Sequence, residues 1–105
     1  MGGDGQPQTQ AAVFTRYALF GQNLQQAISA PRWLLGRTWG DPTRALRLED
    51  RFGATVADTL RARGHEVQVV EGWSDLMGHA QVVGLDADGL TGASDPRADG
   101  AAAGW

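Results

Sequence analysis

The sequence predicts one small domain of mixed α and β structure, α/β in class with α+β character. Helices come first and an antiparallel pair of strands comes last. Three observations carry this expectation. Val13, Tyr17, Phe20 and Leu24 recur at three- and four-residue spacing on one helical face. Leu46 and Leu48 alternate with Arg47 and Glu49, the period of a half-buried strand. Asp86-Ala-Asp-Gly89 stands between Ala80–Leu85 and Leu90-Thr91 as a hairpin turn between two strands.

The elements follow in order. Met1 to Gly5 is a glycine-rich loop. Pro7 suits the first turn of a helix, where its missing N–H costs nothing. The helical pattern starts at Gln8, and Gly21 breaks it. Asn23 is placed to cap a second, short helix from Leu24 to Ala30, which Pro31 ends by pushing the preceding residue out of the α region. Trp33 to Thr38 is extended, and Gly40-Asp-Pro-Thr43 is a turn. After the strand at 46–49, Phe52, Val56 and Leu60 share a helical face, with Gly64 as the residue just past the helix end. Val67 and Val69 mark another strand, Gly72 to Gly78 a loop, and the tail from Gly92 has no period. No repeat and no linker divides residues 1–105, so a single domain is expected.

Composition narrows the function classes. The chain is 42% hydrophobic and 20% charged, which favours folding over disorder. The net charge is −3 and there is no lysine, so an electrostatic footprint for nucleic acid is not expected. No apolar run approaches the roughly 20 residues of a membrane helix. No signal-peptide pattern opens the chain, which in a fragment says nothing of the parent's compartment. With no cysteine and only His65 and His79, thiol catalysis and thiolate metal sites are excluded, and neither a metal nor a cofactor is implied.

Several constellations have plainer roles than the chemistry their residue types suggest. Ser74, Asp75 and His79 are the residue types of a hydrolytic triad, but six residues of one loop do not readily give triad geometry, and no nucleophile elbow is present. Ser74 and Asp75 are better placed to organise a turn, with His79 opening a strand. Asp95-Pro96 is expected to start a turn, with Arg97 pairing locally or across the fold. Trp33, Trp39 and Trp73 suit core or interface anchors. Arg32, Arg37, Arg44, Arg47, Arg51, Arg61 and Arg63 are expected to be a solvated or subunit-facing set.

Five blocks of the chain resemble, in order, segments of the γ-glutamyltransferase (γ-glutamyltranspeptidase) family. They are Met1-Gly-Gly-Asp-Gly-Gln-Pro-Gln-Thr-Gln10, Asn23 to Trp33 with its closing Ala-Pro-Arg, Arg63-Gly-His-Glu-Val67, Met77-Gly-His-Ala-Gln81 and the terminus from Gly92 to Gly104. The resemblance covers nearly the whole chain. It implies a portion of the four-layer αββα sandwich of N-terminal-nucleophile hydrolases. The chain would be the C-terminal part of the small subunit, with residues 1–7 as an active-site loop and residues 92–105 as the C-terminal tail.

In that family a threonine exposed by self-cleavage attacks a γ-glutamyl amide, its own α-amino group acting as base. Water or an acceptor amine then resolves the acyl-enzyme, and glutathione-type molecules are the substrates. Two adjacent glycines donate N–H groups to the oxyanion, and the resemblance places them at Gly2 and Gly3. The nucleophilic threonine, the paired serines and acidic residue that hold the substrate's α-amino and carboxylate groups, and the large-subunit arginine have no counterpart in the chain. None of Thr9, Thr15, Thr38, Thr43, Thr55, Thr59 and Thr91 stands in a processing context. The chain alone is therefore expected to be inactive and to require the large subunit and the N-terminal part of the small subunit. Isolated, it is expected to expose apolar faces, with Val13, Phe20, Val82 and Val83 near them, and to self-associate or lose order at its ends. The alternatives are a related amide hydrolase or acylase of the same fold, and a non-catalytic module that oligomerises.

Overall fold

In the computed structural model, which describes residues 3–38 and 42–104, a helix follows directly on the glycine-rich start. Helix α1 spans Gln6–Ala18 with Pro7 in its first turn. Helix α2 spans Leu24–Ser29. Asn23 caps it as expected: its Oδ1 accepts the N–H of Gln26 at 2.8 Å, and Gln26 Oε1 accepts the N–H of Asn23 at 3.0 Å. This reciprocal box satisfies two donors that a helix start otherwise leaves unpaired. Strand β1 (Trp33–Leu35) follows Pro31, and then come β2 (Leu46–Glu49), helix α3 (Ala54–Ala62) and β3 (Val67–Val70). Gly64, two residues past α3, has φ +90° and sends its N–H to the Arg61 carbonyl, a left-handed helix end that glycine adopts without steric cost. Strands β4 (Gln81–Asp86) and β5 (Gly89–Ser94) form the hairpin.

The strands make two small sheets. In the first, in order β1-β2-β3, β1 lies antiparallel to β2 and β2 parallel to β3, with α3 as the crossover. The second is the antiparallel hairpin, with Val83 opposite Gly92 and Leu85 opposite Leu90. Val13, Leu24, Ala27, Ile28 and Ala93 form a core cluster between the two helices and one face of the hairpin, with Ala80 and Val82 against it. Leu34, Leu48 and Met77 are buried as well. Each fully buried side chain of this size, Ile28 and Leu34 among them, contributes about 1.5–3 kcal/mol.

Three expectations change. Val13 and Leu24 are buried, but Tyr17 is exposed and Phe20 is 73% exposed. Helix α1 ends at Ala18, so the helical period no longer governs where Phe20 points. Strand β2 is not half-buried: Arg47, Leu48 and Glu49 are all inside. It is the central strand of its sheet, and both of its faces are covered. The tail is also shorter than expected, because Gly92, Ala93 and Ser94 complete β5.

The molecule is slab-like, 47 × 28 × 20 Å, with a radius of gyration of 14.7 Å. A compact domain of this length has about 13 Å. The outer face of the hairpin, carrying Val83, Leu85 and Leu90, is solvent-facing, as are Phe14, Leu19 and Phe20 around the end of α1. These are the apolar faces that sheet-and-helix layers ordinarily cover with another layer. Of the residues expected near such faces, Phe20 and Val83 are exposed, Val82 is half-buried and Val13 is buried.

Candidate functional site

The glycine loop meets α1 through a short 3-10 turn, Gly3–Gly5. Gly2 lies outside the described residues. Gly3 is exposed with φ +75°, and a Cβ built on it would meet nothing within 4 Å. The position therefore asks for glycine through its left-handed backbone and not through crowding. The turn delivers this backbone to the N-terminal end of α1, where the helix field favours negative charge. One turn further on, Gln8 pairs with the backbone of Leu35 in both directions. Its Nε2 donates to the Leu35 carbonyl at 3.0 Å, and its Oε1 accepts the Leu35 N–H at 2.7 Å.

Beside this start, an open groove of about 500 Å³ runs between α1 and the beginning of β4. Thr9, Gln10, Val13 and Tyr17 line one side, and His79 and Gln81 the other. Ser74 is committed elsewhere. Its hydroxyl accepts the N–H of Leu76 at 3.3 Å and caps the turn Asp75–Met77, the organising role expected of it. Among the described residues no group of three or more His, Asp or Glu side chains could hold a metal ion.

The densest polar constellation lies inside the fold, where the two Pro-Arg motifs meet. Arg97 grips Glu49 with two donors, Nε to Oε1 at 2.7 Å and Nη2 to Oε2 at 2.6 Å. Its Nη1 reaches Asp95 Oδ1 at 3.0 Å and the Ile28 carbonyl at 3.2 Å. Arg32 pairs with the other oxygen of Asp95 at 2.6 Å and donates to the carbonyls of Met77, Gly78 and Ile28. The backbone N–H of Arg32 adds a bond to Glu49 Oε2 at 3.0 Å. Asp95 also accepts the N–H groups of Ala80 and Arg97, at 2.8 and 3.0 Å. None of Arg32, Glu49, Asp95 and Arg97 is more than 7% exposed.

A rim closes this cluster. Arg51 reaches Glu49 at 3.4 Å and the Ser29 carbonyl at 2.7 Å. The Trp73 ring lies over the Arg51 guanidinium at 3.3 Å, a cation–π cover. Trp73 has φ +64°, a left-handed conformation that costs a bulky residue about 1–3 kcal/mol and persists only where its surroundings enforce it. Trp73 is 43% exposed, so it is not a core anchor; it covers the Arg51 guanidinium instead. Trp39 lies outside the described residues.

Electrostatics agree with the geometry. Burial alone would raise the Asp95 pKa, but the two backbone N–H groups and the charges of Arg32 and Arg97 outweigh it and hold the carboxyl below its ordinary value of 3.8. Burial pushes Arg97 down, and Glu49 and Asp95 more than restore it, so the guanidinium is held above its ordinary value. For Arg32, burial prevails over the attraction of Asp95 and the pKa falls. What this arrangement does is hold the last segment of the chain, through Asp95 and Arg97, onto α2, β1 and β2.

Sequence reasoning foresaw Asp95 in a turn and Arg97 in a pair. It missed Glu49, and it placed Arg32 and Arg47 with the solvated arginines, whereas both are buried. The alternation Leu46-Arg-Leu-Glu49 carried a usable signal, since it puts Arg47 and Glu49 together on the face opposite the leucines.

Residues 1–105 match the family model described as gamma-glutamyltranspeptidase. An oxamate amidohydrolase proenzyme from Klebsiella pneumoniae is 57% identical over 106 residues, covering 100% of the chain and 20% of the relative. The glutathione hydrolase-like YwrD proenzyme of Bacillus subtilis is 50% identical over 104 residues, covering 98% of the chain and 20% of the relative. The crystal structure of a cephalosporin acylase from Bacillus halodurans superposes with a TM-score of 0.84 at 36% identity, covering 100% of the chain and 19% of that chain. The chain thus spans about a fifth of the length of the curated relatives it matches.

Proposed function

The chain belongs to the gamma-glutamyltranspeptidase family, and from that premise we propose that it is the C-terminal part of the small subunit of an amide acyltransferase or hydrolase acting through an N-terminal threonine. The fold is that of a portion of an N-terminal-nucleophile hydrolase, as in the family's enzymes and acylases. The threonine, supplied by the remainder of the enzyme, attacks the γ-glutamyl carbonyl of a glutathione-type substrate. Its α-amino group takes the hydroxyl proton and returns it to the leaving amine. Water or an acceptor amine then cleaves the ester. This chain supplies scaffold and, at Gly2 and Gly3, N–H donors for the oxyanion. The glycine-rich segment ahead of α1 supplies the active-site loop, and the residues after β5 are the tail that the buried ion pairs fasten down.

The observation that carries the oxyanion role is the left-handed Gly3, which leads into α1 with no neighbour near its missing Cβ. Such backbone approaches a tetrahedral centre closely, and donors held about 3 Å from the developing charge act mainly in the transition state. In the complete, processed enzyme, Gly3→Val should lower kcat about a hundredfold and leave processing intact. An unchanged kcat in the processed variant removes the assignment.

A second reading keeps the mechanism and changes the substrate to an amide without a γ-glutamyl group. The 57% identity to an oxamate amidohydrolase proenzyme, above the 50% to a glutathione hydrolase-like one, favours it. Assaying the complete enzyme on a γ-glutamyl anilide and on oxamate side by side decides between them.

A further inference from the structure

We propose that Gln8 is a positioning residue, whose side-chain amide sets the place of the Gly3–Gly5 turn by locking the first turn of α1 onto the free edge of β1. The proposal rests on the reading of Gly3 as an oxyanion donor.

Strand β1 is at the edge of its sheet, with β2 on one side. Arg32 O and Gly36 N, one on each side of β1, both bond across to the β2 side, to Glu49 and Ala45. Backbone groups alternate in direction along an antiparallel pair, so Leu35 turns its N–H and C=O away from β2. Gln8 meets both of them, at 2.7 and 3.0 Å. A primary amide carries a donor and an acceptor on one plane. Gln8 thus does for Leu35 what one residue of a further strand would do, and the pairing shields an edge otherwise open to other chains. A carboxylate has no donor for the Leu35 carbonyl, an ammonium has no acceptor for its N–H, and asparagine is one methylene shorter.

The clamp bears on the loop because the 3-10 turn Gly3–Gly5 runs into α1 without a break. A shift of the first helical turn carries Gly3 with it. The far end of α1 has its own tie, Arg16 Nη2 to the Pro31 carbonyl at 2.6 Å. That tie is about three turns away from the loop and serves as the comparison.

The test uses the complete enzyme that carries this segment. Gln8→Ala should lower kcat by about tenfold to a hundredfold, the scale on which a misplacement of about 1 Å acts. KM should stay within about twofold, since ground-state binding is untouched. Hydrogen exchange at the Leu35 amide should accelerate. Gln8→Glu keeps the length and the acceptor but turns a carboxylate oxygen toward the Leu35 carbonyl, and it should lose kcat in the same way; it carries the test if Gln8→Ala does not fold. Arg16→Met should lower thermal stability while keeping the kcat of the folded enzyme. Wild-type kcat in both Gln8 variants overturns the proposal, and so does an equal loss of kcat in Arg16→Met. Gly3→Val separates the two ideas. If it lowers kcat while the Gln8 variants do not, positioning alone fails. If it leaves kcat unchanged, the oxyanion reading fails with it.

Discussion

Glu49→Gln is the most demanding test of the buried cluster. The substitution keeps the volume and replaces one carboxylate oxygen by an NH2 group. Glu49 is 0% exposed and accepts from Arg97 twice, from the Arg32 N–H and from Arg51. Whichever way the new amide turns, its NH2 faces donors: Arg97 Nε on one side, or Arg97 Nη2 and the Arg32 N–H on the other. The wild-type cluster sets three guanidiniums, Arg32, Arg51 and Arg97, against two carboxylates, and the variant leaves Asp95 alone to balance them. Removing one partner of a buried ion pair costs about 3–5 kcal/mol, because the other charge stays buried without compensation. A domain of this size has about 5–15 kcal/mol in total. Urea unfolding of the 105-residue chain should therefore show a large drop in midpoint at unchanged slope, or no folded baseline at all. The exposed Arg61–Asp58 pair is the control, and Arg61→Ala should cost less than about 1 kcal/mol. In a double-mutant cycle, Arg97→Met combined with Glu49→Gln should cost less than the sum of the two, by about 2 kcal/mol. A loss below about 1 kcal/mol for Glu49→Gln, or additivity with Arg97→Met, refutes the account of the cluster as the fastening of the tail.

Further outcomes follow from the same structure. Because Asp95 is held below its ordinary value of 3.8, the unfolded chain takes up the proton more readily. The stability it contributes is complete above that ordinary value and is lost as the pH falls through the folded one. Unfolding free energy measured from about pH 6 to about pH 2 should fall more steeply in the wild type than in Asp95→Asn. Gly64→Ala should cost about 1 kcal/mol in urea unfolding, an effect of φ alone, since a Cβ there meets nothing within 4 Å; a neutral result would refute the left-handed helix end. The isolated chain should release no product from a γ-glutamyl anilide, and turnover abolished by a change within residues 1–105 would overturn that. Sedimentation of the isolated chain should depend on concentration, and Phe20→Glu with Leu85→Glu should relieve the dependence by charging the two exposed apolar faces.

What was legible in the sequence is what local physics decides. Asn23 caps α2 because an asparagine ahead of a helical run satisfies the first N–H groups wherever the helix packs. Gly64 ends α3, and Asp86 to Gly89 turns the hairpin, for equally local reasons. What was not legible depends on which layer lies over which. The period that grouped Tyr17 with Val13 does not tell that this part of α1 lies uncovered. Arg47 and Glu49 looked like the wet face of a strand, because a strand's own pattern does not say whether its second face is covered. The resemblance supplied a place for Gly2 and Gly3 that composition alone could not, and two of the five blocks that carry it hold Ala30-Pro-Arg32 and Asp95-Pro-Arg97. Those two motifs, more than 60 residues apart, meet in one buried network in which Arg32 takes Asp95 while Arg97 takes both Asp95 and Glu49. Each motif alone looks like an ordinary turn with a surface arginine. An unpaired buried guanidinium is so costly that neither arginine could sit inside without the other segment's carboxylate or carbonyls. The segment Asp95–Arg97 and the entry to β1 are therefore fastened to one another. Gln8 ties the other end of β1 to the start of α1, so the glycine loop, the edge strand and the tail share a single mechanical frame.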